Sequence, residues 1–278
     1  MVEKIKVTIA GINGRFGRAS ARAILADPDL ELVGAFGRAG AAYVGQELGN
    51  VAHTLNTGIL VSNGFLDVLA GAAPDVVLDF TTAEAAFETA KLALERGVRP
   101  VIGTSGLGEK EVSVLKELAV KHKTGGMIVP NFSVGAVLMM EFAKQAGAFF
   151  ANVEIIEMHH TKKVDAPSGT ALHTTSKLAQ VGSGYNAREV EEKELLPGAR
   201  GGQVPSGVRV HSLRLPGLIS HQEVIFGAEG ELLTIRHDSF NTDCFVRGIL
   251  MSLKAAARLN HLLVGLENLL MKNGVKPS

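Results

Sequence analysis

Apolar and polar residues alternate at Ile5, Val7 and Ile9, the period of a half-buried strand, and the alternation stops at Gly11-Ile-Asn-Gly-Arg-Phe-Gly17. Arg18 to Ala26 then has helix-forming composition, and a second strand is predicted over Leu30 to Phe36. Pro74-Asp-Val-Val-Leu-Asp-Phe-Thr-Thr82 is a buried apolar strand ending in polar residues, followed by an alanine-rich helix from Ala83 to Arg96 that Gly97 stops. Pro100-Val-Ile-Gly-Thr-Ser-Gly106 repeats the design, with a helix over roughly Glu109 to Lys121. Strands alternating with helices in this way build a parallel sheet, whose strand ends carry the ligand site.

The second half reads differently. Met127-Ile-Val-Pro-Asn-Phe-Ser-Val-Gly135 closes the first domain, and Val153, Ile155 and Ile156 among Glu154 and Glu157 form a strand running into a loop. Tyr185 to Arg200 is polar and charged and Gly198 to Gly207 is loop. Strand-like runs follow at short spacing, Val208 to Leu215, Gln222 to Phe226 and Leu232 to His237, joined by turns such as Gly227-Ala-Glu-Gly230. Together they predict a second α+β domain with a mixed, mainly antiparallel sheet. Asp243 to Leu263 is again helical, with Phe245, Ile249, Leu250 and Leu253 on one side.

The 278 residues suit one large or two modest domains. With 46% hydrophobic residues and a formal net charge of zero, the composition fits a soluble globular protein and gives no sign of nucleic-acid or anionic-membrane partners, so any anion site must be local. The single cysteine, Cys244, excludes internal disulfides and a cysteine metal cage, and it reads as a small apolar filler. The chain enters a strand directly, without signal peptide or bilayer-length apolar stretch, so a cytoplasmic location is expected.

Strand, glycine turn and helix in succession is the context of a dinucleotide fingerprint, here spaced G-x-x-G-x-x-G: the turn lets backbone approach a pyrophosphate, and the helix N-terminus faces it. The same string also fits an ordinary tight turn. The strand over Leu30 to Phe36 ends in Gly37-Arg38, where a ribose-holding carboxylate is usual. Without that carboxylate, a 2′-phosphate fits between Arg38 and Arg15, although Arg38 is equally readable as a surface charge. The richest stretch is Glu154-Ile-Ile-Glu-Met-His-His-Thr-Lys-Lys-Val-Asp-Ala-Pro-Ser-Gly-Thr-Ala171. It gathers His159, His160, Lys162 and Lys163, and then Ser168 or Thr170 can cap a helix whose open N–H groups point back at the basic cluster. Such a loop is an anion trap with proton donors beside it; its bland counterpart is a solvated basic turn.

That stretch resembles the signature of the dihydrodipicolinate reductases (4-hydroxy-tetrahydrodipicolinate reductases), in which His-His-x-x-Lys-x-Asp-Ala-Pro-Ser-Gly-Thr-Ala recurs, and every fixed position from His159 to Ala171 is met. The resemblance extends over nearly the whole chain, through the opening glycine turn with its arginine at Arg15, Asp79-Phe-Thr81, Gly103-Thr-Ser-Gly106, His211-Ser-x-Arg-x-x-Gly217, His221-x-Glu-Val224 and Gly230-Glu-x-x-x-Ile-x-His237. It implies NAD(P)H-dependent reduction of 4-hydroxy-tetrahydrodipicolinate in lysine and diaminopimelate biosynthesis, by a cytoplasmic homotetramer.

It also implies a Rossmann-like dinucleotide-binding domain over residues 1–130 with 241–278, and a substrate-binding and oligomerisation domain over 131–240. The cofactor, NADPH in preference to NADH, is expected against Gly11, Ile12, Asn13, Gly14, Arg15, Phe16, Gly17, Arg38, Phe80, Thr81, Gly103, Thr104 and Ser105, with Pro130, Asn131 and Phe132 flanking the nicotinamide. Thr82 and Ser105 could equally be plain helix caps and Phe132 plain core. The family's two-carboxylate substrate is expected at His160, Lys163, Ser168, Gly169 and Thr170, with His159 and Lys163 as proton donors and no metal. One departure stands out: the family commonly carries an arginine about five residues after the last histidine, where this chain has Asn241-Thr242, which leaves Arg247 or another residue to supply its role. Two other readings compete: a Rossmann oxidoreductase acting on another amino or keto acid, and a non-catalytic NADP-binding regulator.

Overall fold

A computed structural model describes residues 3–104, 106–187, 190–191 and 193–272. The chain divides into two units, Met1–Ser133 with Phe245–Ser278, and Val134–Cys244.

The first unit opens with strand β1 (Ile5–Ala10), helix α1 (Arg15–Ala26) and strand β2 (Leu30–Phe36). The first helix starts three residues earlier than its composition suggests, because Gly14 at its N-cap already has extended backbone and Arg18 N–H donates to Gly14 O at 3.0 Å. Two short helices follow, α2 (Leu48–Ala52) and α3 (Phe65–Gly71), then β3 (Val76–Asp79), α4 (Ala83–Glu95), β4 (Arg99–Ile102), α5 (Glu109–His122) and β5 (Gly126–Ile128). Thr82 caps α4 by accepting from Ala85 N–H, whereas α5 has Gly108 at its cap without a side-chain bond. The expectation that Ser105 caps this second helix falls on a residue outside the described ones.

In the second unit α6 (Val134–Gly147) precedes β6 (Asn152–His159), α7 (Gly169–Ala179), β7 (Gly202–Gln203), β8 (Arg209–Arg214), β9 (Ser220–Ala228) and β10 (Glu231–Ser239). The sheet order is β10-β9-β6-β8-β7, with β6 and β8 parallel and the other pairs antiparallel. Alternation along β6 buries Val153, Ile155, Glu157 and His159, and leaves Asn152, Glu154, Ile156 and Met158 on the other face. Register sets Ile155 beside Val210 and Val224, and these join Phe226, Ala171, Leu178 and Tyr185 in the core.

The chain then returns to the first unit with α8 (Val246–Ala256), β11 (Leu262–Val264) and α9 (Glu267–Lys272), after a single 3₁₀ turn over Thr242–Phe245. This corrects the single helix expected from Asp243 to Leu263. The carbonyls of Leu259 and His261 accept from Gly125 and Gly126 N–H at 3.1 and 3.2 Å, which draws the chain into the sheet, and Leu262 to Val264 pair in parallel with β5. The completed sheet is all parallel in the order β11-β5-β4-β3-β1-β2. Its order reverses at β1, the switch point at which open α/β sheets bind ligands beyond the strand C-termini. Among the described residues no helix is long and apolar enough to cross a membrane, and no cluster of His, Cys, Asp or Glu is placed to hold a metal.

Candidate active site

In the first unit the glycine turn sits at that switch point. Gly11 has φ +77°, a conformation that L side chains rarely adopt, and its Cα lies against the Phe80 backbone and Thr81. Gly17 lies so close to the Gly11 carbonyl and Ile12 Cα that a Cβ there has no room. The N-terminus of α1 has no side-chain cap, so its first-turn N–H groups remain open to an anion. A backbone cradle that side chains would fill, facing an uncapped helix, fits a dinucleotide pyrophosphate. Ile12 is fully buried, so it can meet a cofactor only through its backbone, whereas Asn13, Gly14 and Arg15 are exposed. Asn13 Oδ1 accepts from Arg18, and the Arg15 guanidinium lies 5.3 Å from the Phe16 ring centroid.

Around the turn, Phe16 stacks on Phe80 at 5.4 Å, and Phe80 meets buried Phe132 edge-on at 5.7 Å. Gly103 fits between those last two rings, where a side chain would strike both. Thr81 donates from N–H and Oγ1 to Asp79 Oδ1 at 2.7 and 2.5 Å, and Thr104 Oγ1 donates to Thr81 O at 2.9 Å. Burial pushes the Asp79 carboxyl up, against the opposing Thr81 bonds. Asn131 Oδ1 accepts from Ser133 N–H at 2.9 Å, while Pro130 and Arg38 are exposed. A Cβ at Gly37 would fall on the Tyr43 ring, so the place of the usual carboxylate is taken by a phenol. Ser105 lies outside the described residues.

In the second unit, β6 ends at His159 and the loop of Lys163 follows. His159 Nδ1 lies 2.5 Å from Glu157 Oε2, and its Nε2 lies 3.1 Å from Ser220 Oγ. Glu157 has no accessible side chain and accepts from Arg214 at both oxygens, 2.7 and 3.1 Å. Arg214 also donates to Asp165 O at 2.8 Å, and the Asp165 carboxylate receives Lys163 Nζ at 2.7 and 2.8 Å. Burial lowers the His159 pKa from its ordinary 6.5, Glu157 partly opposes this, and the Lys163 and Arg214 cations add to it. Burial would raise the Glu157 carboxyl, but hydrogen bonds from Arg214, Ser212 and His159 outweigh it and hold it below its ordinary 4.5. Lys163 likewise holds Asp165 below the usual carboxylate range.

Buried Ser168 caps α7 by accepting from Ala171 N–H at 3.2 Å, and Leu172 N–H donates to Ser168 O at 3.0 Å. That leaves Gly169 and Thr170 N–H as first-turn donors without an intrahelical partner. Gln222 Nε2 donates to Thr174 Oγ1 at 2.7 Å, linking α7 to the sheet, and His160 is exposed in the loop. Glu157 and Arg214 stand in quoted strings of the sequence without a site role, and Ser220 stands in none. Glu157 carried a signal, being a carboxylate on the same alternating face as Val153 and Ile155. At the position of the family arginine, Asn241 Oδ1 accepts Asp243 N–H at 2.8 Å and closes the 3₁₀ turn, and Arg247 is exposed on α8 of the other unit.

Comparison with known proteins covers both units. Residues 5–132 match the family model "Dihydrodipicolinate reductase, N-terminus" and residues 135–270 match "Dihydrodipicolinate reductase, C-terminus". The chain is 42% identical over 273 residues to a 4-hydroxy-tetrahydrodipicolinate reductase of Picosynechococcus sp., covering 97% of this chain and 99% of that one. It is 45% identical over 269 residues to the same enzyme of Bacillus pumilus, covering 96% and 98%. A dipicolinate-bound dihydrodipicolinate reductase from Paenisporosarcina sp. TG-14 superposes with TM-score 0.84 at 39% identity, over 95% of this chain and 99% of that one. An amine dehydrogenase from Mycobacterium smegmatis shares the fold, with TM-score 0.68 at 14% identity. With a glycine cradle in one unit, a histidine–carboxylate site in the other, and relatives matched almost end to end, the chain belongs to the dihydrodipicolinate reductase family.

Proposed function

We propose that this chain catalyses the NAD(P)H-dependent reduction of 4-hydroxy-tetrahydrodipicolinate to tetrahydrodipicolinate, with the cofactor held by the first unit and the dicarboxylate by the second. The observation that carries this reading is the cluster at the end of β6, where His159 and the Lys163 loop stand beside the uncapped donors of Gly169 and Thr170. Loss of the 4-hydroxyl as water leaves a C4=C5 double bond conjugated with the ring imine, and a bound reduced nicotinamide would supply the hydride to its C4. The chain supplies the rest. The His160 imidazole, the Lys163 ammonium and the Gly169 and Thr170 N–H groups favour the two carboxylates, with Ser168 holding the helix end that presents the N–H groups. His159 and Lys163 are the proton donors toward the carbon next to C4. Gly11 to Gly17 cradle the pyrophosphate, and Phe80, Thr81, Gly103, Thr104, Pro130, Asn131 and Phe132 form the wall for the nicotinamide half.

NADPH is the preferred cofactor, supported by Gly37 and Tyr43 in place of a carboxylate and by exposed Arg38. The working form is a homotetramer, supported by the partly apolar face of the second unit's sheet that α6 and α7 leave free among the described residues. There Ile156, Ile225 and Leu232 line a cavity of about 580 Å³, and Leu232 is 76% exposed. Calorimetric titration with dipicolinate tests the substrate class: the parent protein binds it saturably and His160→Ala weakens that binding, whereas a parent that does not bind it overturns the assignment.

A further inference from the structure

Resting on the reading that the dicarboxylate is reduced beside β6, we propose that Glu157 and Arg214 form a buried positioning pair that fixes His159 as its Nδ1–H tautomer and ties the Lys163 loop to the same strand end. The pair sits where an apolar face turns polar. Along the helix-covered side of the sheet, register sets Ile155, Val210, Val224 and Ile235 in one row, Glu157, Ser212, Gln222 and His237 in the next, and His159, Arg214, Ser220 and Ser239 in the last. Polar groups are costly to bury on such a face unless each finds its partner.

Each does here. A carboxylate only accepts hydrogen bonds, so the imidazole nitrogen 2.5 Å from Glu157 Oε2 must carry a proton. Nε2 is therefore the nitrogen that gains and loses the working proton, and it points away from Glu157, toward Ser220 Oγ at 3.1 Å. When Nε2 gives up its proton, the ring returns to the neutral form that Glu157 already holds. Arg214 closes the arrangement. Its guanidinium donates to both Glu157 oxygens and, from the same Nη2, to the Asp165 carbonyl, two residues beyond Lys163. Ser220, His159, Glu157, Arg214, Asp165 and Lys163 thus form one connected chain in which the two proton donors share a single anchor. Glu157 and Arg214 act through His159 and the loop rather than on substrate.

The test is Glu157→Gln. Glutamine has the same shape but one acceptor oxygen and one NH₂ donor. Because a guanidinium only donates, the amide oxygen turns to Arg214 and the NH₂ faces His159 Nδ1. Nδ1 must then accept, and the neutral ring carries its proton on Nε2. Nitrogen NMR of histidine-labelled protein, with the His159 signal assigned by its loss in His159→Gln, should show Nδ1–H in the parent and Nε2–H in Glu157→Gln. Turnover should fall by roughly 10²-fold, within what general acid help is worth, while KM and NADPH binding stay as in the parent. The alkaline limb of the kcat profile should move to lower pH, since the anion that favours the imidazolium is gone while the Lys163 and Arg214 cations remain.

Arg214→Lys, which keeps the charge but not the two-pronged contact, should retain the tautomer and lose part of the turnover. An unchanged tautomer or an unchanged kcat profile in folded Glu157→Gln overturns the proposal. If that variant does not fold, an Nε2–H signal from neutral His159 in the parent does so by itself. A parent that fails to reduce the dicarboxylate defeats the functional reading instead, and leaves the tautomer result standing.

Discussion

At the scale of single residues, variants of the loop after β6 test whether proton transfer and binding fall to different side chains. Lys163→Ala and His159→Ala should each lower turnover by about 10²–10⁴-fold, the usual worth of a positioned acid, while His160→Ala should raise KM; NADPH titration checks that the cofactor half is untouched, and near-parental turnover in the first two would return the loop to a solvated basic turn. Arg38→Ala tests cofactor choice. A charge-assisted contact with the 2′-phosphate is worth about 1.5–3 kcal/mol, or roughly ten- to a hundredfold in affinity, so NADPH should bind more tightly than NADH to the parent and the gap should narrow in the variant. Acid stability follows from burial. Both His159 and His237 are lowered from 6.5, chiefly by burial, so the unfolded chain takes up their protons first as pH falls. Their contribution is complete above about pH 6.5 and is lost on descending toward the folded values; Glu157, held below 4.5, adds a further loss at lower pH. The melting temperature should therefore drop through the weakly acidic range, and His237→Gln should flatten the upper part of that drop. His159, Lys163 and Gly169 were legible in the sequence because they sit in one short string. The pairing of Arg214 with Glu157 was not: Arg214 lies in a quoted motif but 57 positions from its partner, and only the parallel register of β6 with β8 brings them together.

At the scale of elements, periodicity located what alternates cleanly and missed what does not. β1, β2, β3 and the two helices α4 and α5 follow from strand-length apolar runs broken by glycine or capped by threonine. α6 shows no helical face in the sequence, since Met139, Met140, Val137 and Ala143 fall in a run too uniformly apolar to display one. β11 was absorbed into the preceding helix because three apolar residues fit either period, and it is the partner strand β5 that decides. The glycine turn is the element whose sequence and geometry agree most closely. In Gly17→Ala the added methyl meets the Gly11 carbonyl and Ile12 Cα, both backbone, so neither can swing aside. Overpacking of that kind costs about 1–3 kcal/mol. A thermal melt should show the loss, together with weaker NADPH binding; unchanged values for both would mean that helix α1 does not need its close seat on the turn.

At the scale of the whole molecule, family resemblance and the partly apolar sheet face make the same demand. Among the described residues the second unit's helices α6 and α7 pack on the other side of its sheet, while Ile156, Ile225 and Leu232 share their face with Ala187, Val190 and Arg200, and such a partly apolar surface is suited to self-association. Light scattering at micromolar concentration should give the mass of four chains, and the mass of one chain would contradict the assembly. Strand–helix alternation is legible up to Met127–Gly135 and short strand-like runs from Val208 onward, whereas the sheet's strand order depends on pairings far apart in sequence, such as β6 with β9. The proposed reaction is measured most directly by reduced-nicotinamide absorbance after adding the freshly made product of the synthase that forms 4-hydroxy-tetrahydrodipicolinate. With this chain present, NADPH should be consumed in equal amount to the dicarboxylate supplied. If NADPH binds but its absorbance holds steady on that substrate, the chain does not carry out the reaction assigned to it.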